Sequence, residues 1–173
     1  NPNTQLIKAM LGDIPDISID HLYKVNNKWN QFPDSIDLNS IKVFVYDNFP
    51  IVNVDLDLYR MIDSRRNKQS KIIYVEGPSY NFNTLNNILL DGKEFTKDDS
   101  QRKRIISNSI KLNNLVPVRK NLKINNKDFQ QVYLTYSDSS VAIVEENNNL
   151  YIFIPELSKI FINDSEGGFE QYL

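Results

Sequence analysis

The sequence predicts an α+β fold, with short N-terminal helices followed by a mixed or antiparallel sheet and a hairpin-rich C-terminal half. Three observations predict it. Apolar residues recur at helical spacing within residues 1–30, β-rich runs dominate from residue 41 onward, and from residue 104 Asn pairs and triplets punctuate those runs as turn formers do. A length of 173 residues fits one domain and buries a core without disulfides or a structural metal. We therefore expect a single domain over 1–173, divided into a helical lead-in (1–30), a sheet-containing core (41–162) and a loose tail (163–173).

Thr4 is placed to cap a helix running through Leu11, with Leu6, Ile7, Met10 and Leu11 on one side and Gly12, Asp13 and Pro15 ending it. A second helix is expected over Ser18–Trp29, because His21, Leu22, Val25 and Trp29 share one face of a 3.6-residue period. Strands are expected over Ile41–Tyr46 and Ile51–Leu58, joined by Asp47-Asn48-Phe49-Pro50. In the second of these, Val52, Val54, Leu56 and Leu58 alternate with Asn53, Asp55 and Asp57, the pattern of a half-buried strand. Lys71–Glu76 reads as another strand, and Thr84–Asp91 as a helix closed by Gly92.

Beyond Arg104 the Asn groups at 113–114, 125–126 and 147–149 mark a meander. The last group predicts a hairpin between Ser140–Glu146 and Leu150–Ile154. Residues 110–114 and 122–126 form a faint internal echo, too few copies for a repeat protein. Pro117 points to an edge strand. Pro155 and Glu156 open a short last helix through Phe161, and Asp164–Gly168 reads as tail.

Composition removes several function classes. With no Cys there is no disulfide framework, zinc ribbon or thiol catalysis. The longest apolar stretches fall far short of the roughly 20 residues that cross a bilayer. Residues 1–11 lack the plan of a signal peptide, and together with the missing Cys this favours the reducing cytoplasm of a cell or infected host, or a virion. The bias toward Asn, Ile, Lys and Asp is that of AT-rich coding sequence, as in large phages, low-GC bacteria and some protists.

Charge is segregated behind a net value of −2. Residues 1–58 hold four Lys/Arg against eight Asp/Glu, residues 59–127 fifteen against six, and residues 128–173 one against eight. The segments therefore carry −4, +9 and −7. The basic middle either folds against its acidic flanks or presents a positive face to an external polyanion. The polyanion-binding candidates are Arg65, Arg66 and Lys68 with Lys71 nearby, Arg102, Lys103 and Arg104, and Arg119, Lys120 and Lys123. The aromatics of that segment, Tyr74, Tyr80, Phe82 and Phe95, do not compose an RNA-recognition signature.

Catalytic templates are sparse. His21 is the only histidine and there is no Gly-x-Ser-x-Gly element, so a Ser-His-Asp site has little to stand on. No phosphate-loop or dinucleotide fingerprint occurs, and no cofactor is expected. Trp29, Phe32 and Phe49 read as core aromatics before they read as a docking patch. The one constellation with catalytic meaning is Asp55-Leu56-Asp57-Leu58, since two carboxylates at i and i+2 of a strand point the same way and present oxygen ligands to Mg²⁺. These four residues resemble the acidic strand of the polymerase-β-like nucleotidyltransferases, which implies metal-assisted phosphoryl transfer through Asp55 and Asp57. The chain departs from that family in having no Gly between Gly12 and Gly77, where the family carries an upstream glycine element.

The leading expectation is a non-enzymatic structural or interaction subunit of a larger assembly, of phage or viral type, whose partners are proteins or further copies of itself. The alternatives are nucleic-acid binding through residues 60–123 and the Asp55/Asp57 transferase.

Overall fold

A computed structural model describes residues 2–26, 28–31, 33–50, 53–77, 93, 95–98, 102–107, 115–124 and 129–163. The fold is α+β, with short helices around a mainly antiparallel mixed sheet of six strands. Helix α1 spans Pro2–Gly12, its first turn opened by a proline whose missing N–H costs nothing at that position. The chain then makes a small hairpin, β1 (Lys24–Val25) with β2 (Lys28–Trp29), and a 3₁₀ turn at Pro33–Ser35.

The helix expected over Ser18–Trp29 is absent, and the reason is local. Asn30 accepts a hydrogen bond from the Tyr23 N–H (2.7 Å), donates one to the His21 carbonyl (3.1 Å) and pairs its own N–H with the Tyr23 carbonyl (2.9 Å). These bonds offer the backbone an alternative to the helical ladder. Asn26 takes the left-handed conformation that the turn needs, at φ 50°.

Strand β3 (Val43–Asp47), helix α2 (Asn53–Arg65) and strand β4 (Lys71–Val75) form a βαβ unit with β3 and β4 parallel. Of the strand expected over Ile51–Leu58, the described part, 53–58, is thus the first half of a helix. Its alternation is real over the seven residues 52–58, but over Asp55–Arg65 the inward positions are Asp55, Leu58, Tyr59, Met61 and Ile62, which follow a 3.6-residue period. Burying Tyr59 and Ile62 contributes on the order of 2 kcal/mol each.

The C-terminal half holds β5 (Phe95–Lys97), β6 (Ile105–Ile106), β7 (Leu122–Ile124), β8 (Gln131–Tyr136), β9 (Val141–Glu146) and β10 (Asn149–Ile152), closed by helix α3 (Leu157–Asn163), and of the meander expected from Arg104 onward it is β8, β9 and β10 that pair in sequence order. The β9–β10 turn forms at Asn147 and Asn148, both at positive φ (50° and 62°), as a two-residue hairpin of right-handed twist requires. The six-stranded sheet runs β3-β4-β10-β9-β8-β6, and β5 pairs with β7 separately. The strand latest in sequence, β10, inserts beside β4 in parallel, with Tyr151 opposite Tyr74. Pro117 lies outside the six-stranded sheet, beside an isolated bridge between Lys103 and Val118. The helix expected at 84–91, the first copy of the faint repeat and the tail lie outside the described residues.

Each face of the sheet has its own core. On one, Phe44, Tyr46, Ile72, Tyr74, Tyr151 and Phe153 pack with Tyr59 and Ile62 of α2 and with Leu122 and Ile124 of β7. On the other, Val75, Leu134, Ile143, Leu150 and Ile152 pack with Leu157 and Ile160 of α3 and with Leu6 and Ile7 of α1. Buried Asn3 fastens α1 to α3 by accepting from the Ser158 N–H (3.0 Å) and donating to the Pro155 carbonyl (3.3 Å).

Candidate functional site

The helix at 53–65 changes the geometry of the carboxylate pair. Positions i and i+2 of a helix lie roughly 200° apart, so Asp55 and Asp57 diverge. Asp55 is buried and ion-paired with Lys24 of the small hairpin, while Asp57 stands in solvent beside Arg60 (3.8 Å). Asp55 thus anchors the hairpin to α2, and the two carboxylates do not share a face for a cation.

Two further carboxylates, Asp47 of β3 and Glu76 just past the end of β4, lie at the ends of adjacent strands, since Asp47 is opposite Val75 in the β3–β4 register. They serve different neighbours. Asp47 accepts the Thr4 hydroxyl of α1. Glu76 is 0% exposed, and neither of its carboxylate oxygens receives a hydrogen bond of ordinary geometry from the described residues. Burial pushes its carboxyl up to about 8, against the opposing pull of the Asn121 side chain and the Arg119 charge. Glu76 is therefore a neutral acid at pH 7. Among the described residues no group of three or more His, Asp or Glu side chains comes together to hold a metal.

His21 stacks at a tilt on Tyr23, with ring centroids 5.0 Å apart. Burial lowers its pKa first and the Lys8 charge second, against the charge of Asp47. Trp29 meets Phe49 edge-on (5.9 Å), and Phe49 meets Tyr46 in the same way (5.4 Å), so these aromatics join the core of that face. Phe32 lies outside the described residues.

The basic residues separate into two groups. Several are neutralised within the chain. Arg65 pairs with Asp34, Arg66 with Asp63 (2.8 Å) and Lys68 with Asp63 (2.9 Å). Lys120 is buried, ion-paired with Asp98 (2.6 Å) and Asp138, and hydrogen-bonded to the Ser140 hydroxyl (3.0 Å). Burial would raise the Asp138 carboxyl, but the bonds from Lys120 and Ser140 outweigh it and hold it at about 2.

The other group faces outward. The bridge between Lys103 and Val118 lays residues 102–104 antiparallel to 117–119, which sets Arg102 across from Arg119. Alternation buries Ile105 and exposes Arg102, Arg104 and Ile106. The result is a basic and apolar strand face, with Glu156 at its margin contacting Arg102 (3.5 Å) and accepting the Arg119 N–H (3.1 Å). Lys123 is exposed on β7. Lys103, half-buried, lies on the other side of its strand.

The surface that sequence reading missed is the segment after α1. Residues 12–20 are all exposed, and no strand pairs with 17–22 among the described residues. Ile14, Ile17, Ile19, Tyr23 and Val25 are between 41% and 53% exposed, and they are five of the seven large hydrophobics so exposed among the described residues. From Ile17 to Val25 they fall on alternate positions, interleaved with Ser18, Asp20, Leu22 and Lys24. The signal was present as a period of two, but it was masked by an equally good helical period at 21–29. No helix of the described residues is long and apolar enough to cross a membrane. No protein-family model, curated protein or solved structure matches this chain.

Proposed function

We propose that the chain is a non-enzymatic interaction subunit of a larger assembly, docking through the exposed arm at residues 13–25. The observation that carries this reading is the concentration of solvent-facing Ile, Tyr and Val side chains in one short segment, whose residues 17–22 pair with no strand among the described residues and whose end at 24–25 pairs only with the small strand β2. Scattered single hydrophobics are ordinary on a surface, whereas a contiguous set with polar rims marks a contact site. An extended arm of alternating side chains also has the shape that proteins use when they lie along another chain. The AT-rich composition agrees with an origin in a phage or virus, where assembly subunits abound.

Hydrogen exchange tests the docking role. In dilute protein the amides of 13–22 should exchange at nearly unprotected rates, and replacing Ile17 and Ile19 by Ser should leave the melting temperature within a degree or two. Strong protection of these amides in the dilute monomer would mean that the arm is folded onto its own chain, and the reading would fail.

Nucleic-acid binding keeps one specific observation in its favour, the convergence of Arg102, Arg104 and Arg119 on one face. The burial of Lys120 and the pairing of Arg65, Arg66 and Lys68 take four of the expected contacts away from it.

A further inference from the structure

We infer that the partner of the arm is a second copy of this chain, whose Arg102/Arg104/Arg119 face receives it in a head-to-tail contact. The inference rests on the docking role proposed above for residues 13–25 and names its occupant.

Charge complementarity points to this partner. Between Lys8 and Lys24 the arm carries Asp13, Asp16 and Asp20 and no basic residue, all three exposed. The receiving face carries three arginines and the exposed Ile106. One surface is extended, acidic and apolar, and the other is extended, basic and apolar. Arginine suits this work because its planar fork pairs two-pronged with carboxylates.

Placement in the sheet favours an intermolecular contact. The arm is rooted on the β3 side of the molecule, where Lys24 pairs with Asp55 of α2 and Trp29 packs on Phe49. The basic face adjoins β6, at the opposite end of the sheet. Five strand spacings separate β3 from β6, about 24 Å at about 4.8 Å each. Two different patches that match each other at opposite ends of one molecule form a heterologous interface, which closes into a ring or continues as a filament.

The test is charge reversal read by sedimentation velocity over a concentration and salt series. The wild type should self-associate, with a Kd that weakens at least tenfold between low salt and half-molar NaCl. D13K/D16K/D20K and R102E/R104E/R119E should each sediment as monomers, because each pairs like charges across the contact. Mixed one to one, the two variants should associate again, since the Lys arm meets the Glu face and the unchanged arm meets the unchanged face. R104E alone, at an exposed position, should weaken association several-fold, which guards against misfolding of the triple variant.

A wild type that stays monomeric to millimolar concentration overturns the inference, as does mixing that fails to restore association. In either case unprotected amides at 13–22 would leave the docking role standing with a different partner, whereas protected amides would remove both. A labelled single-stranded oligonucleotide belongs in the same titration. Steeply salt-dependent binding abolished in R102E/R104E/R119E would assign the basic face to nucleic acid and overturn the inference.

Discussion

Replacing Glu76 by Gln should change the pH dependence of stability more than any other single substitution in the described core. The folded carboxyl sits at about 8 because burial disfavours its charge, while the unfolded group titrates near its ordinary value of 4.5. Between those values the native state holds a proton that the unfolded state has released. Stability therefore falls as pH rises through this window, at about 1.4 kcal/mol per pH unit. Relative to pH 4 the loss reaches about 3 kcal/mol at pH 7 and about 4 kcal/mol at pH 8. Gln is nearly isosteric with the neutral acid and cannot ionise, so Glu76→Gln should be close to wild type at pH 4 and more stable by about 3 kcal/mol at pH 7. Urea unfolding of both proteins from pH 4 to pH 8.5 measures the difference, in which His21 and every other shared titration cancels. A stability difference that stays constant across this range would refute the reasoning, because it would mean that the Glu76 carboxyl takes up and releases its proton at the same pH folded and unfolded.

Lys120→Met should destabilise by about 3 kcal/mol, since it leaves two carboxylates facing a buried site without their cation. In the same variant the Asp138 carboxyl should move up from about 2, which carbon-detected NMR titration reads directly. In the wild type that depressed value contributes stability present above the ordinary carboxylate range and lost as pH falls toward 2. Gly77→Ala should cost about 1 to 3 kcal/mol in urea unfolding, because a Cβ there would fall onto the Asn48 side chain. Asp55→Asn should weaken the attachment of the hairpin at 24–29, raising hydrogen exchange at Asn30, while Asp57→Asn should change stability by less than about 0.5 kcal/mol. Equal effects of the two Asp substitutions would contradict the helical placement of the pair.

The fold class was legible because the features that set it are local. An Asn-Asn pair that accepts positive φ specifies the β9–β10 hairpin wherever the rest of the chain goes. The end of α1 follows in the same way from Gly12 and a short apolar stripe, whereas its start lies at Pro2, so Thr4 stands inside the helix and not at the cap expected of it. Two elements were misread where two periods fit the same residues. Val52, Val54, Leu56 and Leu58 satisfy a strand, and only the continuation to Ile62 and Arg65 reveals the helix. At 21–29 the helical period is undone by a single side chain, Asn30, whose bonds to residues 21 and 23 no periodicity reports. The placement of β10 beside β4 depends on contacts between residues 73–75 and 150–152, and nothing short-range encodes that pairing. The burial of Glu76 follows from it, because its N–H is held by the Ile152 carbonyl (2.8 Å).

The segregated charge of the sequence resolves into two physical roles once the residues are placed. A lysine such as Lys120 costs several kcal/mol to bury, and it is offset only where acids converge on it, as Asp98 and Asp138 do. That arrangement fixes the loop before β7 against the β8–β9 turn and leaves little charge for a partner. Arg66 and Lys68 likewise spend their charge on Asp63, at the end of α2. The charges that face the outside include, on the basic side, the arginines at 102, 104 and 119, the first also in contact with Glu156, and, on the acidic side, the aspartates at 13, 16 and 20. Both sets accompany exposed isoleucines, and salt bridges at a solvated surface are worth little without such burial beside them. Under the docking role proposed above, such a surface gains affinity when water is expelled from the isoleucines and the charges set the register, whereas a collector of diffuse polyanions would have no need of the isoleucines.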